Sequence, residues 1–218
     1  GLSPACAVVS TLAGFDRSVA VTVGLHLGLG SRGLIAYGSP QIKERLLPQL
    51  ATGQRIAAFC ATEPGAGSDL TVLQTRLREG SGGLSLTGQK AYVTNGGLAG
   101  VLTVVAQSER PADGQRSLAL VVVDPKAAGV TVGPEEKKLG LRASSTTPLF
   151  FDGVEVAPDA VLGLPSQGSA QLAHILCWGR LLMSAGCVGT ARRALELALQ
   201  HTAERRQFGR PLAAQAVV

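Results

Sequence analysis

The sequence predicts an α+β protein built as three consecutive blocks: helices, then a sheet region, then helices again. Three observations carry that prediction. Apolar residues recur at mixed three- and four-residue spacing over residues 3–50, β-rich runs divided by Gly, Pro and Asp fill residues 56–156, and helical spacing returns beyond Gly163. No strand alternates with a helix, so a doubly wound sheet is excluded. The blocks divide the chain at 1–54, 55–162 and 163–218.

In the first block, Gly38-Ser39-Pro40 stops and restarts the chain. Ser39 suits an N-cap and Pro40 the first position of a helix over residues 41–50, whose Lys43, Glu44 and Arg45 face water. The second block reads as six strands: IAAFCAT, GLSLTGQKAYVT, VLTVVAQ, SLALVVVD, GVTV and PLFFDGVEV. The third opens with a helix over about residues 168–202, with Leu172, Ile175, Leu176, Leu182, Val188, Leu195 and Leu199 as its apolar stripe; a second helix is expected near Pro211.

Composition narrows the function. A chain of 218 residues with 45% hydrophobic and 16% charged residues can bury a sizeable core. The net charge of +5 comes with only 4% aromatics and no basic run interleaved with them, so nucleic-acid binding is excluded. Cys6, Cys60, Cys177 and Cys187 form no CxxC pair and no metal-ligand spacing with histidine, so reduced buried thiols are expected and no metal. The longest early charge-free stretch, residues 18–31, falls short of the roughly 20 residues a spanning helix needs, so membrane association is not evident. Gly28, Gly30 and Gly33 match GxGxxG, but no acidic residue follows about 20 positions on; a packed helix explains them better than a nicotinamide site.

Three stretches could carry chemistry. In FCATEPGAGSD, residues 59–69, a strand runs into a turn where Gly65 and Gly67 allow close approach to backbone N–H groups and Thr62 and Ser68 add hydroxyls. This suits a polar heterocycle or a phosphate, and equally an ordinary β-turn. In GQKAYVTNGG, residues 88–97, strand alternation would put Tyr92 and Thr94 on one face, addressing one planar ligand; a core aromatic is the plainer alternative for Tyr92. In ERRQFGR, residues 204–210, Arg205, Arg206 and Arg210 gather positive charge at a helix C-terminus, either for a phosphate or simply as a solvated end.

Taken in order, TEPGAGSD, the Y-x-T-N-G-G, the segment EKKLGLRASSTTPLFFDGVEV and RRQFG resemble the acyl-CoA dehydrogenase family along essentially the whole chain, most like its very-long-chain branch. The resemblance implies a fold with a helical segment, a central β-barrel or sheet domain and an incomplete C-terminal helical bundle. It implies FAD-dependent α,β-dehydrogenation of acyl-CoA thioesters, with electrons passed to an electron-transfer flavoprotein. Carried over by motif, Phe59, Ala61, Thr62, Gly67 and Ser68 would line the flavin, Ser68 also lying near the CoA. Thr94 would hydrogen-bond the ring and Tyr92 pack on it. Arg205, Gln207 and Phe208 would reach the FAD of a neighbouring subunit, implying a homodimer or dimer of dimers. Arg180, 25 residues before Arg205, would be a substrate-side arginine; a surface ion-pair partner is its alternative. The compartment would be cytoplasmic in a bacterium and mitochondrial in a eukaryote.

The chain departs from the family at the catalytic base. The position before Arg180 is Gly179, Glu63 belongs to the turn, and the usual glutamate is expected beyond residue 218, so none of these residues is assigned as the base and the isolated chain is expected to be inactive. Ala216 stands where the family commonly has Gln, with Gln215 one position early. A noncatalytic flavin-binding scaffold and an acyl-CoA oxidase remain as alternatives.

Overall fold

The computed structural model of the protein describes residues 1–80, 82–108, 117–164 and 167–215. Helices α1 (Leu2–Phe15), α2 (Arg17–Leu25), α3 (Ser31–Tyr37) and α4 (Pro40–Ala51) come first. The Asp16 carboxylate accepts the N–H groups of Ser18 and Val19 and so starts α2 as a new helix. Ser39 caps α4 by accepting the Ile42 N–H at 3.2 Å, with Pro40 in the first turn as expected.

A π-helical turn, His26–Gly30, joins α2 to α3 and carries two of the three GxGxxG glycines. A Cβ on Gly28 would lie 2.8 Å from Leu182, and one on Gly30 2.8 Å from the Ala57 backbone. These glycines are small because helix, sheet and the following long helix meet there, which is the packed-helix reading.

The sheet strands are β1 (Ala57–Cys60), β2 (Arg76–Gly80), β3 (Gly83–Thr94), β4 (Val101–Ser108), β5 (Ser117–Val123), β6 (Val130–Val132) and β7 (Thr146–Val156). Their order is β1-β4-β2-β3-β7-β6, with β5 also paired to β4. Strands β1 and β4 are buried along their whole length, which explains why they read as continuous apolar runs. Strand β2 escaped the sequence reading because Arg76, Arg78 and Glu79 mask it; its one large apolar side chain, Leu77, is buried.

Helix α5 (Gly168–Glu204) runs for 37 residues, roughly 55 Å at 1.5 Å per residue. Its apolar stripe is only half realised. Leu172, Ile175 and Leu182 are buried, whereas Val188, Leu195 and Leu199 are 57–61% exposed: α1 meets the second half of α5 at Gly189 and Thr190 but leaves these side chains uncovered. The described third block is one long helix of the incomplete C-terminal helical part. The helix expected near Pro211 is instead a hairpin, β8 (Arg206–Gln207) and β9 (Arg210–Pro211), followed by a 3-10 turn. Phe208 and Gly209, at φ 52° and 79°, form its two-residue turn. Ala216 lies outside the described residues.

Two helical runs, Arg17–Tyr37 and Gly168–Glu204, have the length and mean hydropathy, 1.4 and 1.3, of a membrane-crossing helix, because α2 and α3 continue through the π turn. The first is wedged against the sheet, where His26 Nδ1 accepts the Ala57 N–H at 3.0 Å.

Candidate functional site

The two strand-end motifs are brought together and tied by a buried brace. The Ala91 N–H donates to the Thr62 carbonyl at 2.9 Å. Lys90, with its side chain fully buried, donates to Glu63 at 2.8 Å and to the Ala61 carbonyl at 3.0 Å. Glu63 also accepts the N–H groups of Gln74 and Thr75, at 2.6 and 3.0 Å. Burial alone would raise the Glu63 carboxyl, but the hydrogen bonds from Lys90, Thr75 and Gln74 prevail and hold it below its ordinary value. Three hydrogen bonds and the Lys90 charge thus hold Glu63 as a structural anion. Nearby, burial pushes the Cys60 thiol up to about 12 despite the Lys90 charge, so it is an inert core residue.

Lys90 gave no usable signal in the sequence, since a lysine within a strand ordinarily faces water. Asn95 was missed as well. It is fully buried, its side-chain amide donates to the carbonyls of Thr22 at 3.0 Å and Ala57 at 3.3 Å, and its own φ is +66°. A left-handed Asn at a strand end was readable as a turn; its bridge from β3 to α2 and β1 was not.

The same-face argument for Tyr92 and Thr94 needs correction. A bulge between Lys90 and Val93 inserts a residue, and Tyr92 sits in the left-handed region at φ 55°. Its ring is 66% exposed, so it is no core aromatic; the bulge, not strand alternation, turns it outward. Ala61, Thr62 and Thr94 are half-buried, and Gly67 and Ser68 exposed. The hydroxyls of Thr62, Ser68 and Thr94 make no hydrogen bond among the described residues. Phe59 is packed in the core, leaving its backbone as what it can offer a ligand. Behind the TNGG turn, Gly97 N–H donates to Ser145 Oγ at 3.0 Å, and Ser145 donates to Glu135 at 2.6 Å.

Gly65 and Gly67 neither adopt a positive φ nor meet any atom within 4 Å of a built Cβ. Neither backbone conformation nor packing within the chain calls for glycine there, and the surface above them is open. Open backbone, three unengaged hydroxyls and one projecting ring suit the edge and face of a flat polar heterocycle.

Arg180 lines a cavity of about 300 Å3 between α1, α2 and α5, whose walls include Val21, Leu25, Leu29, Leu176 and Leu182. Among the described residues no Asp or Glu lines it, and Gly179 is among its wall residues. Arg205, Gln207 and Phe208 are not brought to the strand ends. They are exposed on the hairpin, and Arg205 lies roughly 37 Å along α5 from Arg180, at 1.5 Å per residue. Among the described residues no three His, Cys, Asp or Glu gather in a metal-binding arrangement.

Family models for the acyl-CoA dehydrogenase N-terminal, middle and C-terminal domains match residues 1–54, 58–154 and 166–218. The human mitochondrial very long-chain specific acyl-CoA dehydrogenase is 40% identical over 200 residues, 89% of this chain and 30% of its own length. Butyryl-CoA dehydrogenase from Megasphaera elsdenii superposes with a TM-score of 0.91 at 31% identity, over 96% of this chain and 55% of that one. The acyl-CoA dehydrogenase from Bacillus anthracis, solved in complex with FAD, gives 0.89 at 34% identity, over 96% and 35%. The chain spans about a third of the length of the very long-chain relatives it matches. Its three consecutive matches, in order and nearly end to end, place the chain in the acyl-CoA dehydrogenase family.

Proposed function

We propose that these residues form the flavin-holding and acyl-holding part of an FAD-dependent dehydrogenase that introduces an α,β double bond into acyl-CoA thioesters and passes the electrons to an electron-transfer flavoprotein. The observation that carries the reading is the braced pair of strand-end loops, with unengaged hydroxyls and an exposed Tyr92 beside open glycine backbone. That donor set fits FAD, which when bound supplies the two-electron acceptor that no side chain can.

In this reading Thr62 and Thr94 hydrogen-bond the ring edge, Tyr92 packs on the ring, and the backbone at Gly67 and Ser68 meets polar parts of FAD and CoA. The apolar cavity takes the acyl chain and keeps water from it, and Arg180 orients the thioester end. Among the described residues no carboxylate lines the cavity, so in this reading the proton acceptor is a carboxylate that none of them supplies. Arg205, Gln207 and Phe208 serve the FAD of a neighbouring subunit in a homodimer or dimer of dimers, which gives an exposed hairpin far from its own strand ends a purpose.

The test is the visible spectrum of the full-length protein during anaerobic titration with acyl-CoAs of graded length. Bleaching of bound flavin is expected; a protein that is colourless and refuses added FAD would end this reading.

A further inference from the structure

Among the described residues Lys90 is the bulkiest side chain to be fully buried, and it is ion-paired there. Burial works against its charge, and the Glu63 carboxylate at 2.8 Å sustains it. The pair explains how a lysine is tolerated at this position, but not what it is for, since a well-packed apolar pair often holds a fold as well. What sets Lys90 apart is its second bond, from Nζ to the Ala61 carbonyl at 3.0 Å.

That carbonyl belongs to the peptide joining Ala61 to Thr62. The peptide is planar and trans, so the Thr62 N–H points away from Lys90. Strand β1 stops pairing with β4 at Cys60, and among the described residues the Thr62 N–H has no acceptor. A cation on the carbonyl oxygen draws electron density along the peptide and makes the N–H at its other end a stronger donor. The next peptide is held too, because the Thr62 carbonyl accepts the Ala91 N–H at 2.9 Å. Lys90 and Ala91 thus fix both peptides that flank Thr62, at the start of the bulge that turns Tyr92 outward.

We propose that Lys90 is a positioning residue for the flavin: acting through the Ala61–Thr62 peptide, it strengthens the Thr62 N–H as a donor to the ring and so favours the reduced ring over the oxidised one. The inference rests on the FAD reading above. Reduction by two electrons with uptake of one proton leaves the ring with one more negative charge, and a hydrogen bond to a charged acceptor is roughly twice as strong as one to a neutral acceptor. A sharpened donor therefore raises the reduction potential of the bound ring.

The test combines Lys90→Met with Glu63→Gln in the full-length protein. The glutamine oxygen can still accept the N–H groups of Gln74 and Thr75, and no buried charge is left unpaired. The readout is the potential of the bound flavin, titrated anaerobically with dithionite against a reference dye. The double variant is expected to lose about tenfold in its affinity for reduced over oxidised FAD, a fall of about 30 mV for a two-electron couple. A brace that only held the loops in shape would weaken both forms alike, so an unchanged or raised potential overturns the proposal. Should the double variant not fold, judged by its melting temperature, hydrogen exchange at the Thr62 amide of the wild type decides. FAD is expected to slow that exchange by about tenfold or more, and no slowing overturns the proposal. If the wild type takes up no FAD, the flavin reading falls and this inference with it; if FAD binds and the potential is the same in the double variant, only the role of Lys90 falls.

Discussion

The strand-end loops and the outer half of α5 carry comparable numbers of polar residues yet could hardly differ more in how these are held. Around Lys90 and Glu63, charged groups are buried, paired and tied to backbone on two strands and a loop. From Ala191 onward α5 has no buried residue, and its hairpin presents Phe208 at 95% exposure. The first region has its geometry fixed from within the chain, so its surface is preorganised for a ligand. The second buries no side chain of its own against the rest of the described chain and leaves its side chains facing outward.

The sharpest way to break the comparison is to remove one partner of the buried pair. Lys90→Met should destabilise the chain by about 3–5 kcal/mol in chemical denaturation, because Glu63 is left charged and buried. Lys90→Met with Glu63→Leu should recover part of that loss; a double variant as unstable as the single would refute the brace. Next, Leu182→Ala should lower stability by about 2–5 kcal/mol, while Leu199→Ala on the same helix should change it by less than about 0.5. Gly30→Ala should lower stability by about 1–3 kcal/mol, because its Cβ would meet the Ala57 backbone. Gly67→Ala, by contrast, should leave the melting temperature in place and raise the Kd for FAD.

A smaller effect is expected from His26. It accepts the Ala57 N–H on Nδ1 and donates from Nε2 to the Leu50 carbonyl at 3.1 Å, which fixes the neutral ring. Burial lowers its pKa from 6.5, only partly opposed by the Leu50 bond. A folded value below the unfolded one means the unfolded chain takes up the proton first. Stability is then full above about 6.5 and falls as pH drops from there through the folded value. Urea midpoints between pH 7.5 and 5.5 should show the fall for the wild type and a shallower one for His26→Gln. The smallest effect on stability is expected at Arg205→Ala, whose melting temperature should match wild type while FAD is lost faster from the assembled protein on dialysis.

Much of the molecule was legible along the chain. Fully buried β1 and β4 read as apolar runs, Ser39 and Pro40 announced α4, and turn chemistry marked both strand ends. These signals are local, set by burial on both faces, capping and backbone preference. The bulge at Tyr92 was hidden because an inserted residue is defined only by the strand opposite, here Thr147 to Leu149 of β7. The stripe on α5 was overread for a related reason. Periodicity states which face of a helix is apolar and never whether anything covers it.

What the sequence by itself determined was the succession of helix, sheet and helix and the residue types at the two strand ends, since propensity and pattern act over a few neighbours. What only the tertiary structure decided was which side chains meet. Lys90 against Glu63, Asn95 beneath α2 and Arg17 over Gly186 are pairings across 27 to 169 positions, reached only when packing brings distant segments within a few ångströms.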